Sequence, residues 1–366
     1  MKDNTYRLAK GSEKKFTTLV AHVLESVKPT KKEIEESKFT INDVMGRLMK
    51  HTPKDVEILL AGSVARGTQI RGNSDIDIFL LFPRKMKESV IEKKGLEIAK
   101  KIVDSKRKES YIVKYAEHPY TKLLLNDRTI NVDIVPAYKI EHAKERGTAV
   151  DRTQLHNEFV NSKLNERQRD DVRVLKAFLK SHNIYGAEAK TEGFSGYLCE
   201  LLVHNYGSFK SVIEGIANLQ LPKIIEFNKQ DAQKKESKSM LSKFGKKFIV
   251  LDPTDSDRNV AANVSDESLL RFVIASRNLL ASPSSGTFYS EGRSDVYSEK
   301  KLSRIRSMLG IDIYVLHFDV PDIAADIIWQ QLKKTRLRMH DVLKDNGFEP
   351  VVSLQNAESK SAVIGL

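Results

Sequence analysis

The spacing of apolar residues divides the first part of the chain into helices and a series of short strands. Phe16 and Val23 lie two turns apart on one face of a predicted helix, and a second helical pattern ends before Pro53. Short apolar runs bounded by turn residues predict strands at residues 56–61, 76–81, 111–116, 122–125 and 129–135. A helical pattern over residues 87–101 interrupts them. This order predicts a mixed α/β domain that ends near Tyr138.

Beyond residue 150 the pattern becomes helical and then mixed again. Val172, Leu175 and Phe178 line one face of a helix that ends at residues 183–186. Further helical stretches are predicted at residues 196–203 and 209–219. Near the end of the sequence, residues 311–318, 321–345 and 348–354 predict a strand, a helix and a strand. We therefore expect a helical unit followed by half of a small α/β unit.

Composition indicates a polyanionic partner. The 366 residues include 61 Lys and Arg against 49 Asp and Glu, a net charge of +12. The length predicts two or three domains, and the basic balance favours nucleic acid over an acidic small molecule. The longest apolar runs are strand-sized, so no membrane helix is expected. The polar start of the chain does not resemble a secretory signal, and the single cysteine, Cys199, excludes an internal disulfide. These features predict a cytoplasmic protein.

Three acids in apolar strand patterns suggest a metal site. Asp75 and Asp77 alternate at the start of a strand, so both side chains should lie on the same side. Asp133 is a lone acid in another apolar strand, where burial without a partner would be costly. Carboxylates that repel each other at this spacing suit Mg²⁺, which completes its coordination with phosphate and water.

A Gly-Ser turn precedes these acids. Gly62 allows close backbone approach to a phosphate, the Ser63 hydroxyl can bond its oxygens, and Arg66 adds a fixed positive group. An Asp-x-Asp pair by itself is more often a solvated surface pair. Together with the turn and the third acid, however, it predicts two-metal phosphoryl or nucleotidyl transfer.

The run from residue 62 to 82 resembles the signature of polymerase-β-like nucleotidyltransferases. It has Gly-Ser, then Gly-Thr, then Ser-Asp-Ile-Asp. Further segments in order resemble the archaeal, class I CCA-adding enzymes: residues 115–120, 149–153, 183–188, 193–202 and 257–263. The resemblance implies an α/β (α+β) fold, with a catalytic head containing a mixed sheet, a helical neck, an α/β body and a tail. The corresponding ranges are 1–150 for the head, 151–220 for the neck, 221–290 for the body and 291–366 for the tail.

The resemblance also implies a reaction: addition and repair of the 3′-terminal CCA of tRNA from CTP and ATP, with two Mg²⁺ ions. It assigns catalysis and metal binding to Asp75, Asp77 and Asp133. It assigns nucleotide contacts to Gly62, Ser63, Arg66, His156, Lys176, Tyr185 and Arg258. The partner is expected to be the acceptor stem and 3′ end of tRNA, with no membrane involvement. The resemblance allows a homodimer, and the sequence leaves the oligomeric state open. Because the chain stops at Leu366, the tail is expected to be partial and apparently truncated.

Each nucleotide-contacting residue in the later part of the chain has an ordinary alternative. His156 could be a surface helix residue, Lys176 a lysine extending to solvent, and Tyr185 a packed tyrosine. Arg258 could be a surface arginine paired with a neighbouring acid, Asp255 or Asp257. Alternative functions are a poly(A) polymerase, an oligoadenylate synthetase or a catalytically silent RNA-binding relative.

Overall fold

The computed structural model describes most of the chain. The described residues are 5–72, 75–115, 119–125, 130–227, 234–289, 299–321, 323–351, 353–358 and 361–366. Ser74 and residues 116–118 of the motifs, and residue 129 of one predicted strand, lie outside these ranges. None of the described helices is both long and apolar enough to cross a lipid bilayer.

A five-stranded mixed sheet forms the centre of the first half. Its strands are β1 (Glu57–Ala61), β2 (Ile76–Phe82), β3 (Ser110–Tyr115), β4 (Pro119–Leu124) and β5 (Val132–Tyr138). They lie in the order β1-β2-β5-β4-β3, with β2 and β5 parallel and the other neighbours antiparallel. Because β2 and β5 are central, their side chains are buried on both faces, which explains their nearly continuous apolar sequences.

Four helices accompany this sheet in the sequence: α1 (Glu13–Val27), α2 (Lys31–His51), α3 (Gly62–Ala65) and α4 (Glu88–Lys101). α2 and α4 cover one face of the sheet and share its apolar core. α2 begins at a capping box in which Thr30 and Glu33 bond each other's backbone. α1 instead places Phe16 and Val23 in the core of the following helical unit, where it packs against α6 (Glu166–Ser181).

The helical unit surrounds α6 and buries a large cluster of aromatic and aliphatic side chains, with Phe178 fully buried. Its other helices are α5 (Thr153–Lys163), α7 (Gly196–Tyr206), α8 (Phe209–Ala217), α9 (Lys234–Phe244), α10 (Asp266–Ala281) and α11 (Ser285–Phe288). A small sheet of β6 (Lys223–Ile225), β7 (Phe248–Asp252) and β8 (Asp255–Asn259) packs against them. Short 3₁₀ helices lie at Ser105–Arg107, Ala143–Glu145 and Ala149–Arg152.

The last unit contains α12 (Glu299–Leu309), β9 (Val315–Asp319), α13 (Ala325–Asp345), β10 (Leu354–Ala357) and β11 (Ser361–Gly365). The three strands are antiparallel in the order β10-β11-β9. The predicted strand at 348–354 is wrong. Gly347 has a φ of +84° and Phe348 donates its amide to the Leu343 carbonyl, so this segment ends α13 instead of extending. β11 was not predicted.

The α/β fold class expected from the sequence is confirmed by this arrangement. The strands predicted at 56–61 and 76–81 correspond closely to β1 and β2, and the strand predicted at 129–135 is shifted toward residue 138. Cys199 is fully buried in α7 with a free thiol, as expected for a small core residue.

Candidate active site

Two of the predicted acids lie side by side in the centre of the first sheet. In the parallel pairing of β2 with β5, Asp77 is directly opposite Asp133. Asp75 immediately precedes β2, and half of its side chain is exposed. The register of the two strands therefore brings together acids that are far apart in the sequence. They lie where both central strands begin, and solvent reaches this end of the strands at Asp75.

Lys122 occupies the space between these acids. It projects from β4 opposite Asp133, and its Nζ lies 3.1 Å from Asp75 Oδ2 and 3.5 Å from Asp133 Oδ1. The sequence argument missed this residue. The available signal was a single lysine at the start of the strand predicted at 122–125, followed by three leucines. Lys122 supplies one positive charge where three acids converge.

One lysine does not neutralise this cluster. Burial, and then repulsion from Asp133 and Asp75, raises the pKa of Asp77 to about 6, although Arg66 and Lys122 act in the opposite direction. Burial also raises the pKa of Asp133, whose buried Oδ1 has only the long 3.5 Å ion pair with Lys122 and no shorter hydrogen bond. The chemistry of these oxygen donors, with three acids around one ammonium, fits a divalent cation. In the described part of the chain, no three acidic, His or Cys side chains are grouped so that they could hold a metal ion as they stand. Two of these acids contact Lys122 instead.

The Gly-Ser turn packs directly against Asp77. Ala61 pairs with Asp77 across β1 and β2, and α3 begins at the next residue, Gly62. Gly62 has a φ of +73°, and a Cβ built there would overlap the Asp77 carboxylate. Only glycine fits this position without moving the acid. Ser63 follows within α3 and is half-buried.

Arg66 lies in a buried polar network that joins the sheet to the helical unit. Its Nε lies 3.1 Å from Glu200 Oε1, and its Nη1 lies 3.0 Å from Asn157 Oδ1. Thr68 donates its hydroxyl to the same Glu200 oxygen over 2.5 Å. Glu200 on α7 and Asn157 on α5 were not among the predicted site residues. A lone acid in an otherwise apolar helix was the sequence signal for Glu200.

Lys176 on α6 belongs to the same network. Its Nζ donates to the Thr68 carbonyl over 2.9 Å, and the side chain is almost completely buried. The ordinary alternative for Lys176, a lysine extending to solvent, is therefore wrong. Burial lowers the pKa of Lys176. Burial opposes ionisation of Glu200 as well, but the charges of Arg66 and Lys176 outweigh it and lower the pKa of that carboxyl.

Tyr185 lies beside Lys176. An ideal Cβ built at Gly196, the first residue of α7, would be 3.2 Å from the Tyr185 hydroxyl and 3.6 Å from Lys176 Nζ. Gly196 thus leaves room for both groups at the start of the helix. The ammonium of Lys180 lies over the face of the Tyr185 ring, 5.3 Å from its centroid.

His156 and Arg258 meet at a residue that the sequence argument did not single out. His156 Nε2 and Arg258 Nη1 each lie 2.9 Å from Asp252 Oδ2. The His156 ring stacks on Tyr197 with centroids 3.9 Å apart. His156 is half-buried, with 12% of its side chain exposed, rather than fully exposed on the surface, and burial lowers its pKa.

Arg258 does not pair with either acid that the sequence suggested. Asp257 accepts a bond from Lys243, and Asp255 lies 3.3 Å from the guanidinium groups of Arg146 and Arg152. The hairpin of β7 and β8 brings Arg258 back to the end of the preceding strand instead.

The predicted site residues thus form two groups connected by Arg66. On one side its charge opposes the rise in the pKa of Asp77 in the acid cluster, and on the other it adds to the lowering of the pKa of His156 that burial causes. The arrangement combines acids suited to cations, buried cations suited to phosphate, and an aromatic, hydrogen-bonding surface suited to a base.

Three family models match successive parts of the chain. They describe a nucleotidyltransferase domain at residues 41–156, the second domain of tRNA nucleotidyltransferase at 170–289, and the C-terminal domain of CCA-adding enzyme at 309–366. All the candidate site residues fall inside the first two ranges. Two separate family models therefore match the domain with the Gly-Ser and Asp-x-Asp motifs and the helical unit that follows it.

Curated relatives match along most of the chain. The CCA-adding enzyme of Archaeoglobus fulgidus is 34% identical over 94% of this chain and 74% of its own length. That of Methanocaldococcus jannaschii is 36% identical over 90% of this chain and 73% of its own length. That of Pyrococcus abyssi is 36% identical over 89% of this chain and 72% of its own length.

Solved structures share the fold at lower identity. A cytoplasmic RNA terminal U-transferase has a TM-score of 0.57 and 19% identity, covering 76% of this chain and 97% of the other. The Cid1 poly(U) polymerase has a TM-score of 0.58 and 18% identity, covering 76% of this chain and 98% of the other. At this identity the likeness concerns the fold alone.

Proposed function

The chain belongs to the CCA-adding enzymes, and on this premise we propose that it builds and repairs the 3′-terminal CCA of tRNA from CTP and ATP without a nucleic-acid template. The observation that carries the proposal is the opposition of Asp77 and Asp133 on parallel strands, with Asp75 beside them. Acids in this position serve the attack of an RNA 3′ hydroxyl on a nucleoside triphosphate.

Asp75, Asp77 and Asp133 are the residues that would hold two Mg²⁺ ions. When bound, such ions supply positive charge that favours the attacking alkoxide and stabilises the pyrophosphate leaving group. The raised pKa of Asp77 supports this assignment, because burial and the neighbouring acids leave its carboxylate short of positive charge. Asp133 Oδ1, which has only a 3.5 Å ion pair with Lys122, can accept a closer cation. Lys122 has to give up at least part of its contact with these acids when cations bind.

The buried cations beside the acids are suited to the triphosphate. Arg66 and Lys176 are held by Glu200 and Thr68 before any nucleotide binds, so little side-chain freedom remains to be lost. We assign them, with the Ser63 hydroxyl and the backbone at Gly62, to phosphate binding. Because these donors are already held in place, they can stabilise the charge that develops in the transition state without first reorganising.

The second group of residues is assigned to the nucleoside. Tyr185 presents a ring surface. His156, which stacks one face on Tyr197, presents its ring edge, and the partly exposed guanidinium of Arg258 presents donors to a base edge. We propose that Arg258, together with the RNA end, distinguishes C and A from the other bases. The proposed division of labour assigns catalysis and phosphate contacts to residues 1–150, and further nucleotide contacts to 151–220. Residues 221–290 form the body, which carries Arg258, and 291–366 form the tail that contacts tRNA.

The metal assignment is tested with Asp77→Asn and Asp133→Asn. Both variants should keep the thermal unfolding temperature within a few degrees but lose nearly all extension of a tRNA that lacks CCA. They should also lose Mn²⁺ binding measured by electron paramagnetic resonance. Asp55→Asn, an exposed acid on the same domain, is the matched control and should change neither property. Near-normal turnover in either variant would contradict the assignment.

Localisation and assembly follow from the same proposal. The basic charge suits the acceptor stem and 3′ end of tRNA, and the single buried cysteine suits a cytoplasmic enzyme. The homodimer stays a prediction, which sedimentation of the purified protein would test.

A further inference from the structure

Asp252 is the point at which the nucleoside-facing side chains are fixed. It ends β7, and its side chain is completely buried. Oδ2 accepts from His156 Nε2 and Arg258 Nη1, each over 2.9 Å. Oδ1 accepts from the Tyr197 hydroxyl over 3.1 Å and from the backbone and hydroxyl of Thr254 over 3.0 and 2.8 Å.

The two oxygens have different roles. The bonds from Thr254 close the turn between β7 and β8, as an aspartate often does in a loop. The bonds to Oδ2 come from side chains on two other elements, α5 and β8, and do not contribute to that turn. Arg258 is one-third exposed whereas Asp252 is not exposed at all, so the guanidinium is anchored at one end and free to contact a ligand at the other.

The hydrogen bond to Asp252 also determines the tautomer of His156. Hydrogen bonds from its partners lower the pKa of Asp252 despite burial, so the carboxylate is ionised and can only accept. Burial lowers the pKa of His156, which favours the neutral imidazole. In that form the ring donates from Nε2 to the carboxylate 2.9 Å away, which leaves Nδ1 as a hydrogen-bond acceptor.

C and A share a feature that such a surface can recognise. Each has an exocyclic amino donor where U and G have a carbonyl acceptor. An acceptor fixed on His156, beside fixed donors on Arg258, favours the amino bases and disfavours the carbonyl bases, because a mismatched base would leave polar groups unpaired.

We propose that Asp252 is a positioning residue for nucleotide selection, holding Arg258 in one orientation and His156 in one tautomer so that CTP and ATP are accepted over UTP and GTP. This inference rests on the proposed function. It does not make Asp252 a catalytic residue, because the carboxylate is buried behind the two side chains that would meet the base.

The test is Asp252→Asn, which preserves shape but offers an amide donor to His156. We expect the ratio of kcat/KM for CTP over UTP, measured on tRNA lacking CCA, to fall by at least about tenfold, the scale of one lost hydrogen bond. We also expect the His156 imidazole to move toward the tautomer with the proton on Nδ1. Nitrogen spectra of ¹⁵N-histidine-labelled protein, with His156→Gln used for assignment, report that change, which a merely structural role of Asp252 would not produce.

Asp255→Asn is the matched control. Asp255 is also buried in the same hairpin, but it pairs with Arg146 and Arg152 rather than with His156 or Arg258. This variant should lose stability yet keep the wild-type CTP-to-UTP ratio. If Asp252→Asn fails to fold, Asp252→Glu keeps the charge, and we expect it to lower the ratio while retaining the Nε2 tautomer.

A wild-type ratio in a folded Asp252 variant would overturn the inference while leaving the proposed function intact. Failure of the wild-type protein to add C and A to tRNA would instead contradict the proposed function itself. The two failures are therefore distinguishable in one series of assays.

Discussion

Replacement of Gly62 by alanine should displace the Asp77 carboxylate at the centre of the site, and its effect on activity can be measured separately from its effect on stability. A residue with a side chain at a φ of +73° loses roughly 1–2 kcal/mol of stability in the left-handed region. The new Cβ would also overlap Asp77 Oδ2, so the carboxylate must move by about an ångström. A displacement of that size costs about 100-fold in rate, or about 2.7 kcal/mol of transition-state stabilisation.

The assay is the single-turnover rate of nucleotide addition to tRNA, measured beside thermal unfolding. Gly11→Ala is the control, because Gly11 has a φ of +76° with no atom within 4 Å of a built Cβ. Both variants should lose similar stability, but only Gly62→Ala should lose activity. A Gly62→Ala enzyme with a rate near that of Gly11→Ala would refute the close packing of the turn against the acid.

Three further outcomes are expected. Lys122→Met should enlarge the rise in melting temperature caused by Mn²⁺, because Asp75 and Asp133 lose the ammonium that competes for their oxygens; an unchanged rise would contradict this. Glu200→Ala should lower the free energy of unfolding, measured with denaturant, by about 3–5 kcal/mol, because it leaves two buried cations uncompensated. A loss below about 1 kcal/mol would show that these cations find other partners. Burial raises the pKa of Cys199 to about 12, so the folded protein should not react with a thiol reagent at pH 8, whereas the unfolded chain should.

The sequence contained enough to predict the acids, because alternation along a strand and the cost of burying a lone acid are local properties. It could not predict that Asp77 stands opposite Asp133, since the register of two strands depends on the whole sheet. Lys122 was missed for the same reason, because it reaches the acids only through the pairing of β4 with β5.

The partners of the nucleotide-contacting residues were also beyond local patterns. Under its ordinary alternative, Arg258 would pair with an acid next to it in the sequence, but the hairpin of β7 and β8 places it beside Asp252. Lys176 was expected to reach solvent under its ordinary alternative, but α6 lies in the middle of the helical unit and directs the ammonium toward Thr68. Such contacts depend on how separate elements pack, which neither spacing nor composition encodes.

The central claim is tested most directly by sequencing the products of stepwise tRNA extension. Wild-type protein with Mg²⁺, CTP and ATP should add C, C and A to a tRNA that lacks all three, add only A to one ending in CC, and then stop. Long runs of A would indicate a poly(A) polymerase or an oligoadenylate synthetase. Such runs, or no preference for CTP on the bare end, would contradict the account.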